Sequence, residues 1–150
     1  METVELVLPP ISILAGLDEE ALDLLAREAH RSVFPTGELI TREGESGNRL
    51  FMIESGRVRI FKKCASDGGE VELALLGAND SFGEGCILTA LPRAASAQAV
   101  ADTILYSLSS MAFYHLYHAL PAQYGILILN IARDLARQLR RLDERFAACH

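Results

Sequence analysis

The spacing of apolar and polar positions changes character twice along the chain. Between Leu17 and about His30 it is helical, with Leu22, Leu25, Ala26 and Ala29 on one stripe. Asp18 stands at the N-cap, Glu19 and Glu20 follow in the first turn, and Leu17 and Leu22 have the spacing of a hydrophobic staple. Residues 1–12 carry little pattern beyond the stiff Pro9-Pro10 entry. The next stretch is cut by turn formers roughly every eight to twelve residues, the signature of an all-β region. Pro35-Thr36-Gly37 precedes Glu38-Leu39-Ile40-Thr41; Gly44 to Asn48 precedes Leu50-Phe51-Met52-Ile53; Ser55-Gly56 precedes Val58 to Phe61, with Val58 and Ile60 sharing a face. Asp67-Gly68-Gly69 leads into Val71 to Leu75, which alternates cleanly, and Ser96 to Val100 and Ile104 to Leu108 return as the last strands.

Regular short strands of this kind favour a jelly roll of about eight strands, because a closed double sheet leaves few free edges. Ser109 or Ser110 then caps a helix carrying Phe113, Leu116 and Tyr117, and Pro121 opens a longer one. Its apolar positions are Ile128, Ile131, Ala132, Leu135, Leu139, Leu142 and Phe146. That stripe outlives the sheet before it. Its near half is expected to pack on the β-domain and its far half on a second copy as a short coiled coil; a helix docked wholly on its own domain is the other arrangement. The expected architecture is mainly β with flanking helices. It is one domain over 1–150, with a β-roll over about 31–109, a helix before it and two C-terminal helices over about 110–146.

Composition narrows the function classes. Half the residues are apolar and none is tryptophan, so the chain can bury a core. A net charge of −6 argues against a general nucleic-acid binder, although Arg133 to Arg145 holds five arginines against three acids. Arg140 and Glu144 make an ordinary i,i+4 pair, and that region reads as a solvated helix face. Cys64, Cys86 and Cys149 have neither metal-ligand nor redox spacing, which suits a reducing cytoplasm. No signal-peptide pattern is visible, and the apolar run Ile126 to Ile131 is too short to cross a bilayer. No Gly-x-Ser-x-Gly, His-Glu-x-x-His or phosphate-loop motif suggests an enzyme. His115 and His118 lack supporting ligands for a metal, so they read as surface or interface histidines, and Tyr114 and Tyr117 as packing.

Candidate chemistry concentrates in residues 77–96. Gly83 and Gly85 flank Glu84, a short apolar run follows, and Arg93 stands directly after Pro92. Backbone freedom at the two glycines lets N–H groups converge on an anion, and a helical turn starting near Glu84 would add its own free N–H groups. Arg93, folded back beside that turn, offers a fork of donors suited to phosphate. Glu84 is repelled by phosphate but can accept hydrogen bonds from a sugar hydroxyl. The constellation reads as a cradle for a small phosphorylated nucleoside; a solvated glycine-rich turn with an ordinary arginine fits the same residues.

Several blocks together resemble a cyclic nucleotide-binding domain, the family of the bacterial catabolite activator and the regulatory subunits of cAMP-dependent protein kinase. They are Phe34-Pro35-x-Gly37-Glu38-x-Ile40-x-x-Glu43-Gly44-Glu45-x-Gly47, Phe51-x-Ile53-x-x-Gly56-x-Val58, and Phe82-Gly83-Glu84 through Pro92-Arg93-Ala94-Ala95-Ser96. The likeness covers about residues 14–145. It implies that Arg93 binds the cyclic phosphate, Glu84 the ribose 2′-hydroxyl, and the backbone N–H groups of Cys86 and Ala94 the phosphate again. Gly83, Gly85 and Ala95 would shape the same cassette, with Ile60 and Leu73 as apolar wall near base or sugar.

The resemblance also bears on selectivity and output. Alanine at position 94, where many members have Ser or Thr, removes a hydroxyl that can bond a syn guanine, so cAMP is expected over cGMP. The chain departs from the pattern at Gly85-Cys86, at Asn79 in a glycine position, and at Asp134 in a basic one, with Gln138 and Leu139 where other members reach the base. No helix-turn-helix module follows the long helix, so no DNA reader is expected. The expected protein is therefore a cytoplasmic, non-catalytic sensor without a cofactor or metal, either standing alone or as the regulatory piece of something larger. It would work as a homodimer through the C-terminal helix or through an effector protein; the alternative is an interaction or dimerisation domain with a silent pocket.

Overall fold

The computed structural model describes residues 8–149; the reading of residues 1–7, and of the Cys149 side chain, lies outside them. A 3-10 turn over Ser12–Leu14, with no counterpart in the sequence reading, leads into α1 (Glu19–Glu28). The Asp18 carboxylate accepts from the Ala21 N–H at 2.9 Å, the expected cap. Helix α1 stops two residues short of the expected end, because His30 already pairs in the first strand.

Eight strands follow: β1 (His30–Phe34), β2 (Leu39–Thr41), β3 (Arg49–Ser55), β4 (Val58–Lys63), β5 (Glu70–Leu76), β6 (Ser81–Phe82), β7 (Ser96–Ala99) and β8 (Thr103–Ser109). They form two four-stranded antiparallel sheets, ordered β1-β8-β3-β6 and β2-β7-β4-β5. This is the expected jelly roll. Helix α2 (Glu84–Thr89) lies between β6 and β7, while α3 (Ser110–Ala119) and α4 (Pro121–Cys149) close the chain.

Two cores explain the composition of the strands. Ile53, Val58, Leu76, Phe82, Ala97 and Leu105 fill the space between the sheets. Leu50, Met52, Tyr106 and Leu108 point the other way, against Ile13, Leu25, Phe113, Leu116, Leu127 and Ile131 under the helices. With both faces covered, β3 reads as an unbroken apolar run rather than an alternation. The second sheet turns a polar face outward, where Arg59 donates to Gln98 at 2.7 Å and pairs with Glu70 at 2.7 Å.

The structure corrects four expectations. Val71 and Leu75 are half exposed, and the inward positions of β5 are Ala74 and Leu76. The register slips between Ile60–Ala74 and Phe61–Glu72, leaving Leu73 as an extra residue in a bulge, so the alternation does not map onto one face. Tyr117 is half exposed rather than buried with Phe113 and Leu116 and meets Tyr124 edge-on at 5.2 Å, and Tyr114, equally exposed, tilts against His118 at 4.3 Å. Ser109 is the N-cap of α3, but neither it nor Ser110 caps through its side chain; the Ser110 N–H donates to the Asn48 carbonyl at 2.9 Å. In α4 the principal anchors are Leu127, which the stripe missed, and Ile131, while Ala132 is exposed. Asn130 adds two hydrogen bonds to the carbonyls of Ile13 and Ala15, at 2.9 and 2.7 Å. Beyond this docked part, Leu139 is 61% exposed. Among the described residues no helix is long and apolar enough to cross a membrane.

Candidate functional site

Strand β6 ends at Phe82, whose ring stacks on Phe51 of β3 at 5.0 Å. Gly83 then takes φ +87°, the left-handed conformation that turns the chain into α2. Gly85 does not share that role; its backbone is ordinary helix, and a Cβ there would meet nothing within 4 Å. Asn79, which stands in a glycine position of the family pattern, has φ +75°, a left-handed conformation that asparagine tolerates.

Arg93 returns to this turn because its backbone is clamped by the 42–47 loop. Its carbonyl accepts from the Gly44 N–H at 2.8 Å, and its N–H donates to the Glu45 carbonyl at 2.9 Å. The guanidinium is buried, 5.6 Å from the Phe51 ring centre, and Nη2 donates to the Arg49 carbonyl at 3.2 Å. A methyl group on Gly47 would stand 2.4 Å from its Nε, and one on Gly83 would stand 2.6 Å from its Nη1. Both glycines therefore make room for the guanidinium.

Glu84 opens α2 and is 4% exposed. Its Oε1 accepts from Gln138 of α4 at 3.4 Å, and its Oε2 has no partner, like Nε of Arg93 and Oγ of Ser81. Burial pushes the Glu84 carboxyl up to about 7, with the Asp134 charge adding to the rise. Among the described residues no ion pair joins Glu84 to Arg93.

Both line one cavity of about 660 Å³, within the range of small-molecule sites. Gly83, Gly85, Cys86, Ala94, Ala95, Ile60 and Leu73 line it too, so the structure brings together the residues assigned to the cassette and its apolar wall, while Leu139, expected near the base, lies outside the lining. The opposite wall is α4: Asp134, Leu135, Gln138, Arg141, Leu142 and Arg145. Sequence reasoning placed the basic part of α4 on a solvated face. Arg140 does sit there, 3.5 Å from Glu144, but Arg145 turns to β5 and donates to the carbonyls of Leu73 and Glu72 at 2.7 and 3.2 Å. The signal was present: positions 134, 138, 141 and 145 advance by four, three and four, one helical face.

Elsewhere, His115 meets the Glu28 carboxylate. Among the described residues no cluster of three His, Cys, Asp or Glu side chains could hold a metal.

The family model for the cyclic nucleotide-binding domain matches residues 31–119, from β1 through α3. The chain belongs to this family. As a cyclic nucleotide-binding domain it is 39% identical over 128 residues to the cyclic AMP receptor protein of Thermus thermophilus, covering 85% of this chain and 57% of that relative. It is 32% identical over 109 residues to the cAMP-dependent protein kinase regulatory subunit of Debaryomyces hansenii, 73% of this chain and 23% of the subunit. The crystal structure of Thermus thermophilus catabolite activator protein superposes with a TM-score of 0.77 at 36% identity, over 91% of this chain and 62% of that one. The chain thus spans about three fifths of the receptor protein's length. The cassette around Glu84 and Arg93 lies wholly inside the matched family region.

Proposed function

We propose that this domain is a non-catalytic sensor that binds a cyclic mononucleotide, cAMP in preference to cGMP, and signals by movement of α3 and α4. The observation that carries the reading is that Arg93 and Glu84, each with a buried polar atom lacking a partner (Nε and Oε2), line one cavity. Groups of that kind are costly unless a ligand completes them. A cyclic phosphodiester supplies the anion for Arg93, and the adjoining ribose supplies a hydroxyl for Glu84. The N–H groups in the first turn of α2, including that of Cys86, have no helical partner of their own; with the N–H of Ala94 they complete the phosphate site.

The preference for cAMP is supported by Ala94, which offers no hydroxyl to a syn guanine. Ile60 and Leu73 supply apolar wall for the base, facing α4 across the cavity. The same helix docks on the core through Leu127 and Ile131, so a ligand that reseats it changes contacts far from the pocket. A population shift of this type requires tighter binding to one seat of α4 than to the other. The exposed stripe beyond the docked segment fits a second copy of the chain.

Calorimetric titration with cAMP, cGMP and a small panel of cyclic dinucleotides tests the reading. Saturable binding of one cAMP per chain, tighter than cGMP, supports it. Silence with every nucleotide at millimolar concentration supports an interaction domain with a silent pocket instead.

A further inference from the structure

Glu84 is not the only carboxylate at the sugar end of the cavity. Asp134 lines the cavity from α4, on the opposite wall, and Gln138, one turn later, bonds to both carboxylates. The Gln138 amide nitrogen has two hydrogens and uses both: Oδ2 of Asp134 accepts at 3.0 Å and Oε1 of Glu84 at 3.4 Å. This bridge leaves Oε2 of Glu84 buried and without a partner, on a residue that lines the cavity.

We propose that Gln138 and Asp134 are positioning residues for sugar recognition: Gln138 holds one oxygen of Glu84, Asp134 holds Gln138, and the second oxygen is thereby presented to the ribose 2′-hydroxyl. The inference rests on the nucleotide-binding reading and deepens it. It makes α4 part of the sugar grip, so the seat of the helix and the hydroxyl contact depend on each other. It also makes the grip sensitive to protons, because Asp134 sets a like charge beside Glu84 while the Gln138 hydrogen bond favours the ionised form.

The other ionisable groups around the cavity are Asp80 before β6, Cys86 of α2, Arg93 before β7, and Arg141 and Arg145 of α4, while Arg137 of α4 stands 3.7 Å from Asp134. Arg49 of β3, beneath α2, turns its guanidinium to Ser107 at 3.1 Å. Among the described residues no histidine lines the cavity, and neither a cyclic phosphodiester nor adenine changes charge near neutrality. An ionised Glu84 accepts more strongly from the hydroxyl than a protonated one. With Glu84 rising to about 7 in the free protein, affinity for cAMP should increase about tenfold between pH 6 and pH 8.

The test measures dissociation constants for cAMP and 2′-deoxy-cAMP across that pH range, for the unaltered chain, Gln138→Leu and Asp134→Asn. Gln138→Leu should weaken cAMP about tenfold while changing 2′-deoxy-cAMP little, and should move the pH midpoint upward. Asp134→Asn keeps an acceptor for Gln138 but removes the charge, so it should move the midpoint downward. Equal losses for the two nucleotides in Gln138→Leu, or a flat profile that Asp134→Asn leaves unaltered, overturn the proposal while nucleotide binding stands. Absence of binding by the unaltered chain at every pH overturns both.

Discussion

Glu84 and Arg93 carry opposite charges, line the same cavity and are each more than nine-tenths buried, yet no ion pair connects them among the described residues. Two buried charges held apart do not stabilise a fold; each bears most of its desolvation cost alone. The arrangement is intelligible when one side of a ligand is anionic and the next is a hydroxyl. Gly47 and Gly83 keep the guanidinium in place on one side, and Gln138 keeps the carboxylate in place on the other.

Arg93→Met should separate binding from stability. The substitution keeps much of the side chain's bulk and removes a buried charge that has only backbone partners. Cyclic nucleotide binding should fall at least a hundredfold, about 3 kcal/mol, while the ligand-free melting temperature stays level or rises. A drop of more than a few degrees would show that the guanidinium is a structural strut.

The three close-packed glycines should behave differently. Gly56→Ala combines φ +106° with a Cβ at 2.4–2.6 Å from Thr103 and the Asp102 carbonyl, so it should cost about 2–3 kcal/mol in denaturant unfolding. Gly83→Ala meets the Arg49 carbonyl at 2.9 Å as well as Arg93, and should lose stability and binding together. At Gly47→Ala the three nearest atoms all belong to the Arg93 guanidinium and φ is permitted, so binding should weaken with stability changed by under about 1 kcal/mol. Equal unfolding costs at positions 47 and 56 would contradict this assignment.

Stability should depend on pH through Glu84. Its folded-state value is raised from 4.5 to about 7, so the protonated form favours folding. That contribution is complete below about 4.5 and is lost as pH rises through about 7. Glu84→Gln, which cannot ionise, should therefore gain on the unaltered protein by up to about 3 kcal/mol between pH 4 and pH 8. Chemical denaturation at the two pH values gives the difference directly; an unchanged or narrowing gap would mean that the carboxylate is paired and ionised in the fold.

Leu139→Glu tests the distal half of α4. Leu139 is 61% exposed and outside the cavity lining, so the change should spare cAMP affinity within a pair of fixed subunits. Light scattering should show a dimer becoming a monomer at the same concentration. A monomer for both proteins would leave α4 without a second copy as its partner.

The readable parts of this structure were those with a local cause. Turn glycines, the Asp18 cap and Pro121 act over a few residues, and each appears where its chemistry places it. Glu84 and Arg93 were legible because the cassette encloses both in one short segment. What escaped was set by distant packing. Leu127 anchors α4 because the floor under it is built from Ile13, Leu25 and Leu50. Leu73 left the alternation because β5 bulges against β4, and Arg145 caps the carbonyl freed there from the far end of the chain. Asp134 and Gln138 carried the right spacing, but a polar helical face looks alike whether it meets water or a cavity.

Calorimetric titration of cAMP into the unaltered chain and into Arg93→Ala tests the central claim most directly. The account predicts saturable heat at one nucleotide per chain, lost in the variant although it remains folded by circular dichroism. Equal affinity in both proteins, or no heat from the unaltered chain at millimolar cAMP, would contradict it.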